Sequence, residues 1–156
     1  MSLPDKQNLN EITPTDAAST WATTVTIVDL NTIVGSSINQ LSPTALAYIG
    51  DAVYELYIRT RFLMPPKRMT DYHSQVVAQV KAESQAAHLT SLEPHLTIAE
   101  REILRRGRNA CGSKPRRISG RIYQRASSLE TLIGYLHLTD PQRLAELLAK
   151  IEFNKN

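Results

Sequence analysis

The chain of 156 residues has a single cysteine, Cys111, so it can form neither an internal disulfide framework nor a thiolate metal cluster. One thiol suits a reducing compartment, and a cytoplasmic location is expected. Aromatic residues are scarce too: with two Phe and one Trp, the core must come chiefly from Leu, Ile, Val and Ala. No apolar run approaches the roughly 18 residues that span a bilayer, so no membrane association is expected. The first forty residues carry one Lys and no Arg, which argues against a secretory signal or a transit peptide. Neither a phosphate-cradling Gly loop with Lys-Ser/Thr nor the Rossmann glycine pattern occurs, so no nucleotide cofactor is expected. His73, His88, His95 and His137 lack zinc-type spacing, and Ser127 and Ser128 lack a His–Asp partner set for nucleophilic catalysis.

Positive charge is present, and it is concentrated. Half of the eighteen Lys and Arg residues fall within 101–125, a stretch whose one acid is Glu102. Eight of those nine cations are Arg, whose forked guanidinium grips phosphate through two hydrogen bonds. A solvated helix face followed by a polar loop would account for a scattered set. This clustering, punctuated by Gly and Pro, points instead to a polyanion partner.

The body reads as all-α. Residues 1–40 are polar with little periodicity and read as a mobile or loosely packed extension, leaving 41–153 as the domain. Ser42-Pro43 opens a helix expected to run to about residue 62, with Leu46, Ile49, Val53, Leu56, Tyr57 and Thr60 as its buried stripe, before Pro65-Pro66 stops it. A second helix is expected to open near Thr70 or Asp71, to carry Val76, Val77, Val80, Gln85 or Ala86, and Leu89, and to end before Pro94. Thr97 and Glu100 form a capping box for a third, ending near Arg106 ahead of Gly107. A fourth spans about 122–138 with Leu129, Leu132, Ile133 and Leu136 on one side. Asp140-Pro141 starts a last one with Leu144, Leu147, Leu148 and Ile151.

Two carboxylates stand in settings that suit them poorly. Asp51 lies among Ala47, Tyr48, Ile49 and Ala52, and Glu130 among Leu129, Leu132 and Ile133. Each needs a hydrogen bond, an ion pair or a metal. Arg59 or Arg125 could supply the counter-charge. So could a divalent ion, and Mg²⁺ is commonly held by one or two carboxylates, waters and substrate phosphate. With the Arg-rich segment, that set describes metal-assisted phosphodiester hydrolysis. Glu55 is one turn beyond Asp51, but a pair with Arg59 at i+4 is the expected role. Gly50 costs a helix about 1 kcal/mol relative to Ala, so close approach of another element is expected there.

These residues carry a resemblance. Leu46-Ala47-Tyr48-Ile49-Gly50-Asp51-Ala52 resembles the helix motif of ribonuclease III catalytic domains, and Ser127-Ser128-Leu129-Glu130-Thr131-Leu132-Ile133-Gly134 resembles their second acidic motif. The chain is more similar still to the Mini-III ribonucleases, which lack a double-stranded-RNA-binding domain. Glu83-Ser84-Gln85-Ala86 and Arg106-Gly107-Arg108-Asn109-Ala110 match two further motifs of that group. Ala47 and Ser127 stand where the larger ribonucleases III carry Glu and Asp, a trait the Mini-III members share; it implies one loosely held ion whose waters replace the missing carboxylates.

The resemblance implies an all-α, ribonuclease III-like helical bundle that forms a homodimer. It implies a Mg²⁺-dependent endoribonuclease (Mn²⁺ as a substitute) that cleaves double-stranded RNA to 5′-phosphate and 3′-hydroxyl ends. Asp51 and Glu130 would be the catalytic and metal-holding residues. Arg105, Arg106, Arg108, Asn109, Lys114, Arg116, Arg117 and Arg121 would meet the RNA. The substrate implied is a large-subunit (23S) ribosomal RNA precursor. The alternatives are an inactive double-stranded-RNA-binding protein of the same fold and a helical module whose Arg patch meets an acidic protein.

Overall fold

The computed structural model describes residues 35–113 and 117–153, and every regular element among them is helical. A 3-10 helix, Gly35–Gln40, leads into α1 (Pro43–Arg61), α2 (Met69–Val80), α3 (Ala82–Leu92), α4 (Ile98–Asn109), α5 (Gly120–Thr139) and α6 (Pro141–Leu148). Of the extension expected over 1–40, residues 1–34 lie outside the described residues, and the rest carries the 3-10 turn.

The helix starts follow from their caps. Ser42 accepts from Ala45 N–H at 3.1 Å, with Pro43 in the first turn of α1. Thr97 and Glu100 exchange both bonds of the capping box, at 3.1 and 2.8 Å. Asp140 accepts from Arg143 N–H at 3.1 Å. Glu100 also forms an ion pair with Arg143 at 2.7 Å, and that guanidinium holds the carboxyl below its usual range. One pair thus ties the start of α4 to α6.

Helix α5 is central: α1, α3, α4 and α6 all pack on it. Its Leu129, Leu132, Ile133 and Leu136 are buried as expected, and they meet Leu144, Leu147 and Leu148 of α6 and Leu89 and Leu92 of α3. Each such side chain contributes about 1.5–3 kcal/mol by leaving water.

Three expectations need correction. Instead of one helix from about residue 70 to before Pro94 there are two, parted at Lys81, where ψ swings to 153° with neither Gly nor Pro present. Side chains make the break possible: Ser84 Oγ donates to Ala78 O and Gln85 Nε2 to Val80 O, satisfying carbonyls that end α2. The third helix does not end at Arg106 but continues to Asn109, with Gly107 buried inside it. And the buried face of α1 is Leu46, Gly50, Val53, Tyr54, Tyr57 and Ile58. Ile49, Leu56 and Thr60 are exposed, and with Ala45, Tyr48 and Ala52 the apolar ones make a second stripe facing outward.

Glycines set how closely the helices cross. A Cβ on Gly50 would sit 1.8 Å from the carbonyl oxygen of Glu130, and one on Gly134 would sit 1.9 Å from that of Leu46. Backbone touches backbone there, so neither position admits a side chain. Gly107 does the same for α4, where a Cβ would fall 2.6 Å from Thr131 Oγ1. Gly50→Ala or Gly134→Ala is therefore expected to cost at least ~2 kcal/mol despite the better helix propensity of Ala. Gly112→Ala, with open space around it, should stay within about 0.5 kcal/mol. Urea unfolding of the three variants measures the contrast.

Candidate active site

The Gly50–Gly134 crossing brings the two singled-out carboxylates together. Asp51 follows the contact glycine on α1, and Glu130 is the residue whose own carbonyl that glycine touches. Both line one cleft of about 240 Å³. Its walls are Pro43, Thr44, Ala47 and Tyr48 from α1, Gly107, Ala110, Cys111 and Gly112 from the end of α4, and Tyr123, Ser127 and Thr131 from α5. Thr131 Oγ1 donates to Ser127 O at 2.8 Å and lies 3.4 Å from Pro43 O, pinning α5 to the start of α1.

Neither proposed arginine neutralises the pair. Arg59 is bound to Glu55 at 2.5 Å, the expected i+4 pair. Arg125 spans Glu93 at 2.8 Å and Thr90 Oγ1 at 2.8 Å. The carboxyls instead stand together in the cleft. Burial pushes Glu130 up to about 7; the Gln85 amide opposes that shift, and the neighbouring Asp51 adds to it. Asp51 is raised by desolvation first and by Glu55 second, with Glu130 acting against the rise. Burial and the nearby charge thus favour a proton retained on Glu130, and among the described residues no cationic side chain is ion-paired with either carboxyl. One or two carboxyls of this kind commonly hold a hard divalent ion.

One premise of the sequence reading does not hold. Asp51 is an exposed residue, not a buried one, because its apolar neighbours Tyr48, Ile49 and Ala52 are themselves exposed. Their apolar character marks an outward face, and Asp51 stands at the rim of the cleft. Glu130 is half-buried deeper in it.

The basic segment is divided by its surroundings. Arg105 is paired with Glu102 at 2.6 Å and Arg101 donates to Glu93 O at 2.5 Å. Among the described residues, the side chains of Arg106, Arg108, Arg117 and Arg121 make no hydrogen bond or ion pair. Arg106, Arg108 and Asn109 belong to the helix end that walls the cleft. Arg121 opens onto a different hollow, with Ile122 and Arg125. Lys114 and Arg116 lie outside the described residues. Sequence reasoning gave no site role to Tyr123 or Cys111, both of which line the cleft, and took Gln85 for a stripe position and part of a family motif, where it is buried. Gln85 had one visible signal, a polar amide at a helical core position.

His88, among the histidines given no metal role, is buried against Tyr54 and Phe153, and burial pushes it down to about 4. It is a neutral core residue.

The proton retained on Glu130 makes a stability prediction with a definite sign. Glu130 rises from 4.5 to about 7 on folding, so folding takes up a proton there. That contribution is complete below 4.5 and is lost as pH rises through about 7. In EDTA, Glu130→Gln should therefore gain thermal stability relative to the unsubstituted protein as pH climbs across that window. Melting curves in EDTA from pH 4 to 8 measure the difference between the two proteins.

Comparison with known proteins agrees with this geometry. Residues 44–141 match the Ribonuclease III domain. The chain is 57% identical over 123 residues to the Mini-ribonuclease 3 of Synechocystis, covering 79% of this chain and 86% of that one. It is 51% identical over 111 residues to the Mini-ribonuclease 3 of Gloeobacter violaceus, covering 71% and 82%. Among solved structures, it is similar to the crystal structure of protein FN1578 from Fusobacterium nucleatum, with TM-score 0.64 and 27% identity over 69% of this chain and 89% of that one. With a matched domain that spans both acidic helices and relatives similar along most of their length, the chain belongs to the ribonuclease III family.

Proposed function

We propose that the protein is a Mg²⁺-dependent endoribonuclease that cleaves double-stranded RNA as a homodimer. The observation that carries this reading is the Asp51–Glu130 pair: two carboxyls lining one open cleft, whose wall is the end of the helix that bears Arg106 and Arg108. Asp51 and Glu130 are the residues that would hold the ion, with Mn²⁺ as a substitute. When bound, the ion lowers the pKa of water and stabilises charge on the phosphate and leaving oxygen. Ala47 and Ser127, which line the same cleft, add no carboxylate, leaving room for water and substrate phosphate.

The chain's own groups have separable tasks. Glu130 gives up its proton and, with Asp51, orients what binds between them. Arg106 and Arg108 hold backbone phosphates beside the cleft, and A-form RNA offers them phosphates and 2′-hydroxyls rather than readable base edges. Such contacts weaken steeply with salt. Asn109 ends the same helix, Arg117 and Arg121 would meet RNA from the segment leading into α5, and Arg105 must release Glu102 to join them.

Dimerisation is supported by the outward stripe of α1. Tyr48 is 86% exposed, and Ala45, Ile49, Ala52 and Leu56 continue its face one and two turns on. A second copy would cover this surface and set two clefts side by side, one for each RNA strand. The substrate we propose, in line with the resemblance to Mini-III ribonucleases, is a large-subunit ribosomal RNA precursor, cleaved in the cytoplasm. No helix among the described residues is long and apolar enough to cross a membrane.

Asp51→Asn and Glu130→Gln should each slow Mg²⁺-dependent cleavage of end-labelled duplex RNA by at least ~1,000-fold, since several kcal/mol of charge stabilisation disappear at roughly 1.4 kcal/mol per tenfold. Gel-shift affinity for the same duplex should change less than threefold. Wild-type cleavage by either variant contradicts the site. Intact RNA with the unsubstituted protein in Mg²⁺ would leave a binding protein of the same fold.

A further inference from the structure

Tyr123 is a large aromatic side chain that neither the core nor the hydrogen-bonded scaffold uses. Of the six tyrosines, Tyr54, Tyr57 and Tyr72 donate their hydroxyls to the carbonyls of Gln79, Leu148 and Arg59, at 3.1, 3.1 and 2.5 Å. Tyr135 packs against the core cluster, and Tyr48 stands on the outward stripe of α1. Tyr123 is half-buried in the wall of the Asp51–Glu130 cleft and outside the core cluster. Its hydroxyl makes no hydrogen bond among the described residues. A phenol has an apolar body and one polar tip, and here the tip is left for whatever fills the cleft.

Tyr123, Ser127, Glu130 and Thr131 recur at helical spacing, so α5 turns one face to the cleft. Tyr123 lies two turns before Glu130, about 10 Å along the axis at roughly 1.5 Å per residue, and both side chains tilt toward the helix N-terminus. The phenol therefore stands apart from the carboxyls and has a task of its own. Across the cleft, the end of α4 presents Gly107, Ala110, Cys111 and Gly112, small residues that leave the aromatic ring facing open space. We propose that Tyr123 positions the substrate: its hydroxyl donates a hydrogen bond to a backbone oxygen, of a phosphate or a 2′-hydroxyl, on a nucleotide flanking the one cleaved. The inference rests on the reading of this cleft as the place where double-stranded RNA is cut. A contact that far from the reacting phosphorus is made equally before and in the transition state, so it acts on KM and leaves kcat alone.

Tyr123→Phe keeps the ring and removes the hydroxyl. In steady-state cleavage of end-labelled duplex RNA by the full chain in Mg²⁺, its KM should rise about fivefold or more at unchanged kcat. Its melting temperature, and its binding of Mn²⁺ without RNA followed by loss of the free-ion electron paramagnetic resonance signal, should match the unsubstituted protein; a merely structural role would move both. Duplexes carrying a single 2′-deoxy nucleotide or a single methylphosphonate linkage, placed in turn beside the cut, tell the two oxygens apart. The change that removes the partner of Tyr123 raises KM for the unsubstituted protein and adds nothing in Tyr123→Phe. A KM within twofold of wild type in Tyr123→Phe overturns the proposal. So does a loss of Mn²⁺ binding, or losses that multiply at every modified position. If the unsubstituted protein leaves duplex RNA intact in Mg²⁺, the endoribonuclease reading itself fails and this role falls with it; if it cleaves and Tyr123→Phe cleaves with the same KM, that reading stands and the role of Tyr123 does not.

Discussion

The contact on which this structure depends is the crossing of α1 over α5 at Gly50 and Gly134, where each helix backbone fills the space a side chain would need. Dispersion between backbones at that distance is available only if both residues lack a Cβ. Its consequence is positional. The residue after Gly50 and the residue whose carbonyl Gly50 touches are the two carboxylates of the cleft, so helix packing and the site are one arrangement. Gly107 repeats the device for α4 against Thr131, and this carries the end of the Arg-bearing helix to the rim of the same cleft.

Once the helices are that close, electrostatics leaves few options. Arg59 and Arg125 are bound elsewhere, so the pair keeps a proton. Burial acts mainly on Glu130, the deeper of the two, and Glu130 opposes the rise that desolvation imposes on Asp51. The neighbouring cations that do have carboxylate partners, Arg105 and Arg143, are tied into the scaffold. Arg106 and Arg108, whose side chains make no hydrogen bond or ion pair among the described residues, lie on the helix end that walls the cleft. The protein thus segregates its charge, with structural ion pairs along the bundle and unpaired charge of both signs where a phosphate and a cation would meet.

Much of this was legible in the sequence where the signal was local. Ser42, Thr97 and Asp140 announced their helices because a cap is a bond within one turn. The stripes of α5 and α6 were legible because those helices bury one face. Helix α1 misled because it is apolar on two faces, one packed on α5 and one exposed, and periodicity alone cannot say which is inside. That ambiguity also made Asp51 look buried. The break at Lys81 was invisible because it is satisfied by Ser84 and Gln85 reaching backwards, with no Gly or Pro to mark it. Gly107 looked like a helix stop because a glycine required by a neighbouring helix cannot be told from a terminating one by sequence spacing. Gly50 was read correctly as a close approach, but only the fold shows that the approach is to Glu130.

The central claim is the proposal that the proton retained on Glu130 beside Asp51 gives way to a divalent ion. Titration calorimetry with Mg²⁺ at pH 6.5, in buffers of different ionisation enthalpy, counts the protons displaced on binding. The account predicts release of roughly one proton per ion at that pH, fading well above pH 7, and no release from Glu130→Gln. Mg²⁺ that binds without displacing a proton, equally in the wild-type protein and in Glu130→Gln, would contradict it.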